Sequence, residues 1–107
     1  PFMTMGEALE APLALGAADA KRLTRCVYNI GAFSPTAGEF ADAVREAFPG
    51  AKISFQPDVQ RQAIVDSWPE EVDWSAATRD WDYQPGKGFK QAFEEDLLPP
   101  IRARYAN

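Results

Sequence analysis

Histidine is absent from the 107 residues, and cysteine occurs once. The first absence removes the commonest general base at neutral pH and the commonest metal ligand. The second rules out an internal disulfide, and no Cys or His cluster has metal spacing. Cys26 lies in an apolar stretch, Cys-Val-Tyr-Asn-Ile. It is expected as a buried thiol of a protein in a reducing, cytoplasmic compartment. No apolar run approaches the roughly 18 to 20 residues that span a bilayer. Residues 1–5 carry no basic region of a signal peptide. Positive charge is also scarce: 11 Lys and Arg stand against 16 Asp and Glu, a net charge of −5. Neither nucleic acid nor an anionic membrane surface is therefore an expected partner. A glycine-rich phosphate loop is missing, because Gly86-Lys87-Gly88 has no strand before it. Nothing matches a nucleophile elbow or a Ser-His-Asp set. No catalytic, cofactor-binding or metal-ligating residue is expected within the chain.

What remains is an ordinary globular composition, 46% hydrophobic and 25% charged, long enough for one small domain. The chain opens on Pro1 rather than Met, which suggests a piece of a longer protein.

Residues 2–5 suit a short edge strand. Residues 6–18 place Leu9 and Leu13 on one helical stripe, which Pro12 should kink or interrupt. Residues 26–32 are the clearest strand, with Val27, Tyr28 and Ile30, ended at Gly31. Thr36 and Glu39 have capping-box spacing and predict a helix to about Phe48, stopped by Pro49-Gly50. Residues 52–56 alternate as a second strand with Ile53 and Phe55 inward. Strand, helix and strand in that order predict a β-α-β unit with parallel strands. Asp73 or Ser75 would cap a short helix through Trp81, with Trp74 and Trp81 packed on the domain. The last helix runs from Phe89 to about Tyr105, and Pro99-Pro100 should kink it or end it early. The carboxylates of Glu70-Glu71 and Glu94-Glu95-Asp96 read as a loop and a solvated helix face.

The chain is organised around residues 57–68, Pro-Asp-Val-Gln-Arg-Gln-Ala-Ile-Val-Asp-Ser-Trp, followed by Pro69. Arg61, Ser67 and Trp68 are the candidate site residues within a short helix or turn at 58–66. Arg61 suits a carboxylate or diphosphate. Trp68 suits either core packing or covering a substrate. Tyr83 and Lys87 have the Tyr-x-x-x-Lys spacing of short-chain dehydrogenases, but Pro85 and Gly86 break the helical turn that chemistry needs.

These runs carry a family resemblance. Tyr28-Asn29-Ile30-Gly31-Ala32-Phe33-Ser34-Pro35 resembles the strand opening the C-terminal region of extended short-chain dehydrogenase/reductases. Arg61-Gln62-Ala63-Ile64-Val65-Asp66-Ser67-Trp68-Pro69 is similar to the segment typical of NAD-dependent L-threonine 3-dehydrogenases of that superfamily. Asp73-Trp74-Ser75-Ala76-Ala77, with Asp80-Trp81-Asp82-Tyr83-Gln84-Pro85, resembles the superfamily's Asp-x-Ser-Lys-Ala … Leu-Gly-Trp-x-Pro ending. Ala76, Asp80 and Asp82 depart from it, standing where Lys, Leu and Gly are usual.

The resemblance implies an α/β fold: a small C-terminal lobe, residues 1–107 as one domain, with helices packed on a short, partly parallel sheet. The NAD-binding Rossmann half and the catalytic Tyr-x-x-x-Lys would lie in the full-length protein, which oxidises L-threonine to 2-amino-3-oxobutanoate. NAD belongs to that full-length form, and the piece alone should neither bind it well nor turn over. The implied partner is a small molecule, an amino acid or a sugar nucleotide. Family members are often dimers through the Rossmann half, so a homodimeric parent is expected. Two alternatives stand beside this: a lobe of a nucleotide-sugar epimerase or dehydratase, and a stand-alone, non-catalytic interaction domain.

Overall fold

Thr4 starts the first helix by a reciprocal cap. Its hydroxyl accepts from the Glu7 amide at 3.3 Å, and the Glu7 carboxylate accepts from the Thr4 amide at 3.1 Å. Helix α1 then spans Met5–Ala17, in a computed structural model that describes residues 1–105. The expected helix forms, and Pro12 lies inside α1 without interrupting it. A proline costs one hydrogen bond, and a helix bonded on both sides of that gap survives it.

A 3-10 turn, Ala20–Arg22, is capped by Asp19, and residues 23–36 follow without regular structure apart from one bridge at Phe33. Helix α2, Ala37–Ala47, begins with the expected Thr36–Glu39 capping box and stops at Phe48, before Pro49-Gly50. Helix α3, Val59–Asp66, is capped by Asp58, whose carboxylate accepts from Gln60 and Arg61. Helix α4, Ser75–Trp81, has Trp74 at its cap position, while Asp73 accepts the Ser75 amide at 2.9 Å. It closes at Asp82, whose φ of 59° reverses the chain. Helices α5, Phe89–Ala92, and α6, Leu98–Tyr105, are joined by one π turn, Phe93–Leu97. That wide turn sits immediately before Pro99-Pro100. It shifts the bonding pattern, with Leu98 donating to the Phe93 carbonyl, so the helix passes the prolines instead of ending.

The expected sheet does not form. Residues 27–32 and 52–56 have no regular secondary structure, no strand occurs among the described residues, and the only β contact there is an isolated antiparallel bridge between Phe2 and Phe33. Alternation specifies a backbone with one inward face; it does not supply a neighbour, and no main-chain hydrogen bond joins the two segments among the described residues. Two further expectations fail with it. Phe55 is exposed rather than inward. Cys26 is exposed as well, because the chain bends there, outside the regular alternation that turns Tyr28 and Ile30 inward.

Packing is divided between two small clusters. One joins Ala11, Ala77, Trp81 and Tyr83, with Tyr28, Ile30 and Trp74 against it. The other is an aromatic chain in which Phe40 meets Phe2 at 5.8 Å and Phe89 at 4.7 Å, and Phe89 meets Phe33 and Phe93 at 5.9 Å each. The molecule measures 54 × 37 × 16 Å. Its thin dimension is little more than one helix diameter of about 10–12 Å. Met5, Leu9 and Leu13 on α1 are exposed. No helix of the described residues is long and apolar enough to cross a membrane.

Candidate functional site

The segment 57–68 folds on local signals alone. Asp58 caps α3, Gln62 donates to Asp66 at 2.6 Å one turn on, and Ser67 closes the helix by donating its hydroxyl to the Ile64 carbonyl at 2.6 Å. Every residue from 57 to 68 is exposed. Trp68 keeps 66% of its surface, so core packing, one of its two readings, does not occur within this chain. The Arg61 guanidinium has only a loose ion pair with Asp58, at 3.9 Å. Arg61 on α3 and Trp68 just beyond its end thus present exposed side chains, while the Ser67 proton is committed to the backbone and leaves only lone pairs to offer.

A cluster missed at the sequence level lies at the other side of the chain. Asp80 is 2% exposed. One of its oxygens accepts from the Thr24 hydroxyl at 2.6 Å, the Tyr28 hydroxyl at 2.7 Å and the Thr24 amide at 3.0 Å. The other accepts from Arg79 at 2.8 Å. The Thr24 hydroxyl first, then that of Tyr28, hold this carboxyl far below the usual range. It is a fixed anion and not a base. Next to it, Arg22 grips Asp82 through two bonds of 2.7 and 3.0 Å, which lowers the Asp82 pKa. The indole N–H of Trp81 is buried without a partner among the described residues. Asp-Trp-Asp-Tyr was visible as a run, but its partners lie more than fifty positions upstream, beyond any local signal.

The Tyr83–Lys87 pair is taken apart by the fold. The Tyr83 hydroxyl donates to the Gly31 carbonyl at 2.9 Å, and burial pushes its pKa up, against what a catalytic tyrosinate needs. The Lys87 ammonium lies 2.8 Å from Asp96 and 3.2 Å from Glu95.

No family model matches the chain. It is 39% identical over 84 residues to the mitochondrial L-threonine 3-dehydrogenase of Sus scrofa, covering 78% of this chain and 22% of that protein. It is 34% identical over 85 residues to an uncharacterized epimerase/dehydratase of Staphylococcus haemolyticus, covering 78% and 27%. This chain is a homologue of the L-threonine 3-dehydrogenases and epimerase/dehydratases.

The chain spans about a quarter of the length of the curated relatives it matches. Solved structures agree. A partial consensus L-threonine 3-dehydrogenase superposes with a TM-score of 0.84 at 38% identity, over 96% of this chain and 33% of that one. The GalE-like L-threonine dehydrogenase of Cupriavidus necator, holo form, gives 0.81 at 38% identity, over 92% and 33%.

The 86–88 turn does not offer a dinucleotide a free anion cradle. The amides of Gly86 and Lys87, the nearest thing to a glycine-rich anion cradle, already donate to the Glu7 carboxylate at 2.8 and 3.0 Å. Burial disfavours that charge, but the amides of Thr4, Lys87 and Gly86 outweigh it and lower the Glu7 pKa. No group of acidic or Cys residues among the described residues is arranged to hold a metal.

Proposed function

We propose that this chain is the substrate-facing lobe of an NAD-dependent oxidoreductase whose full-length form oxidises L-threonine to 2-amino-3-oxobutanoate. The observation that carries the reading is the 39% identity over 84 residues to an L-threonine 3-dehydrogenase. NAD bound elsewhere in the full-length protein would accept the hydride. This chain's share is recognition: Trp68 covers the non-reacting part of the substrate and excludes water, Arg61 meets its carboxylate, and Ser67 offers an acceptor to its ammonium. The exposure of all three supports a role toward something outside this chain.

The test joins this chain, in place of the matching segment, to the remainder of the Cupriavidus necator protein and follows NADH formation. Turnover with L-threonine by the chimera and none by the chain alone is the expected result. The 34% identity to an epimerase/dehydratase supports a second reading, a nucleotide-sugar epimerase or dehydratase lobe. A folded, NAD-binding chimera that is silent on L-threonine but converts a UDP-sugar would replace the first reading with the second. Inactivity on both substrates would favour a non-catalytic interaction domain.

A further inference from the structure

A cleft of about 520 Å³ lies between α2 and the continuous helix formed by α5, the π turn and α6. On α2 it is lined by Glu39, Asp42, Ala43, Glu46 and Ala47, whose spacings of three and four place them on one helix face. The opposite wall is shaped by the π turn. On a regular α-helix, residues five apart point about 140° away from each other. The Phe93–Leu97 π turn takes up the extra residue, so Phe89, Phe93, Leu98 and Arg102 all line the cleft. Aromatic contacts tie the two walls together at both ends. Phe40 meets Phe89 at 4.7 Å at one end, and the Arg102 guanidinium lies 5.9 Å from the centre of the Phe48 ring at the other. Between them Phe93 and Leu98 are buried, and Ala43, Ala47 and Phe89 are half-buried.

The rim is acidic. Glu39, Asp42, Glu46 and Glu94 line the cleft against two cations, Lys90 and Arg102. Lys90 is 3.9 Å from Glu94, and Arg102 lies over the Phe48 ring. Glu39 accepts from the Thr36 amide at 2.7 Å, and Arg45 pairs with Asp42 at 2.7 Å. Glu46 has no ion pair or side-chain hydrogen bond among the described residues, and it stands one turn from Asp42, like charge beside like charge. A cation bound in the cleft relieves that pair; an anion adds to it.

We propose that this cleft binds a small organic cation, a primary ammonium on an aryl or alkyl body. The body lies along Phe89, Phe93 and Leu98, and the ammonium meets Glu46 with Asp42 one turn away. The volume falls in the range of small-molecule sites, which join an apolar floor to a few placed polar groups. Walls tied together at both ends suit a compact ligand over a peptide running through. The inference stands on the cleft and its charge, and does not depend on the oxidoreductase reading.

4-Phenylbutylamine is the probe, followed by amide chemical shifts on the Cupriavidus necator chimera. If the chimera does not fold, the chain alone is read in the same way. Saturable shifts confined to residues 39–47 and 89–102 are the expected result. Two companions separate charge from body: 4-phenylbutanoate keeps the body and reverses the charge, and butylamine keeps the charge without the ring. Each should bind at least about tenfold more weakly than the probe. Glu46→Gln, at an exposed position, should weaken the amine by about fivefold, with the loss shrinking at high salt. Ala43→Leu fills the cleft with a good helix former and should abolish the saturable shifts. Equal affinity for the amine and the carboxylate overturns the proposal. Shifts outside the two helices overturn it as well, and so does amine binding that Glu46→Gln leaves unchanged. Absence of any saturable shift overturns it too, because the cleft is then covered or closed. If Ala43→Leu unfolds α2, Glu46→Gln and the two companions decide the question without it.

Discussion

The Tyr28 hydroxyl donates to Asp80 at 2.7 Å and closes the segment 27–31 onto α4. The same oxygen of Asp80 holds Thr24, so one carboxylate ties three parts of the chain. The Asp80 pKa in the folded chain lies below its unfolded value of 3.8. Its contribution is therefore present above that value and is lost as pH falls toward the folded pKa. Asp80→Asn should lower the melting temperature at pH 7 and flatten the loss of stability below about pH 4. An acid titration of both forms by circular dichroism checks it; parallel curves would show that the cluster contributes nothing on folding.

Tyr83→Phe removes the donor to the Gly31 carbonyl in a buried place. The expected cost is about 1–2 kcal/mol in denaturant unfolding. In the chimera its turnover number should stay near that of the parent, and Lys87→Met should behave likewise. A drop of three orders of magnitude in either would instead make this pair the catalytic Tyr-x-x-x-Lys.

Two capping boxes with the same spacing are not equivalent. Glu39 serves Thr36 only, whereas Glu7 serves Thr4 and also accepts the amides of Gly86 and Lys87. Glu7→Gln should therefore destabilise the chain more than Glu39→Gln, with faster amide exchange at 86 and 87. Equal melting temperatures would show that the tie between α1 and the 84–88 turn is without weight.

The sequence made the local half of this fold legible. Thr36 with Glu39 and Pro49-Gly50 announce the two ends of α2 because caps and stops act within four positions. Pairing was not legible: Tyr28 and Ile30 specify an inward face, and no residue nearby says which strand comes alongside. Pro12 and Pro99-Pro100 did not end their helices, since the cost of a lost donor is absorbed by bonds on either side or by a π turn. Asp80 escaped notice because its donors at 24 and 28 become neighbours only after folding. At the candidate site, Arg61, Ser67 and Trp68 could be named from their run, while the commitment of Ser67 to the Ile64 carbonyl could not.

Trp68 separates a stability role from a recognition role. It keeps 66% of its surface in this chain, so Trp68→Ala should change unfolding by less than about 0.5 kcal/mol. In the chimera the same change should raise KM for L-threonine and lower kcat/KM, since the indole would cover the substrate only when the other half is in place. Arg61→Met should raise KM with kcat little changed, and the difference from the parent should shrink at high salt, as a carboxylate contact with an 87% exposed side chain requires. Unchanged KM in both variants would remove the α3 segment from the site. A Trp68→Ala variant that unfolds more easily as the chimera but not as the isolated chain would make Trp68 a docking residue between the two halves instead of a substrate wall.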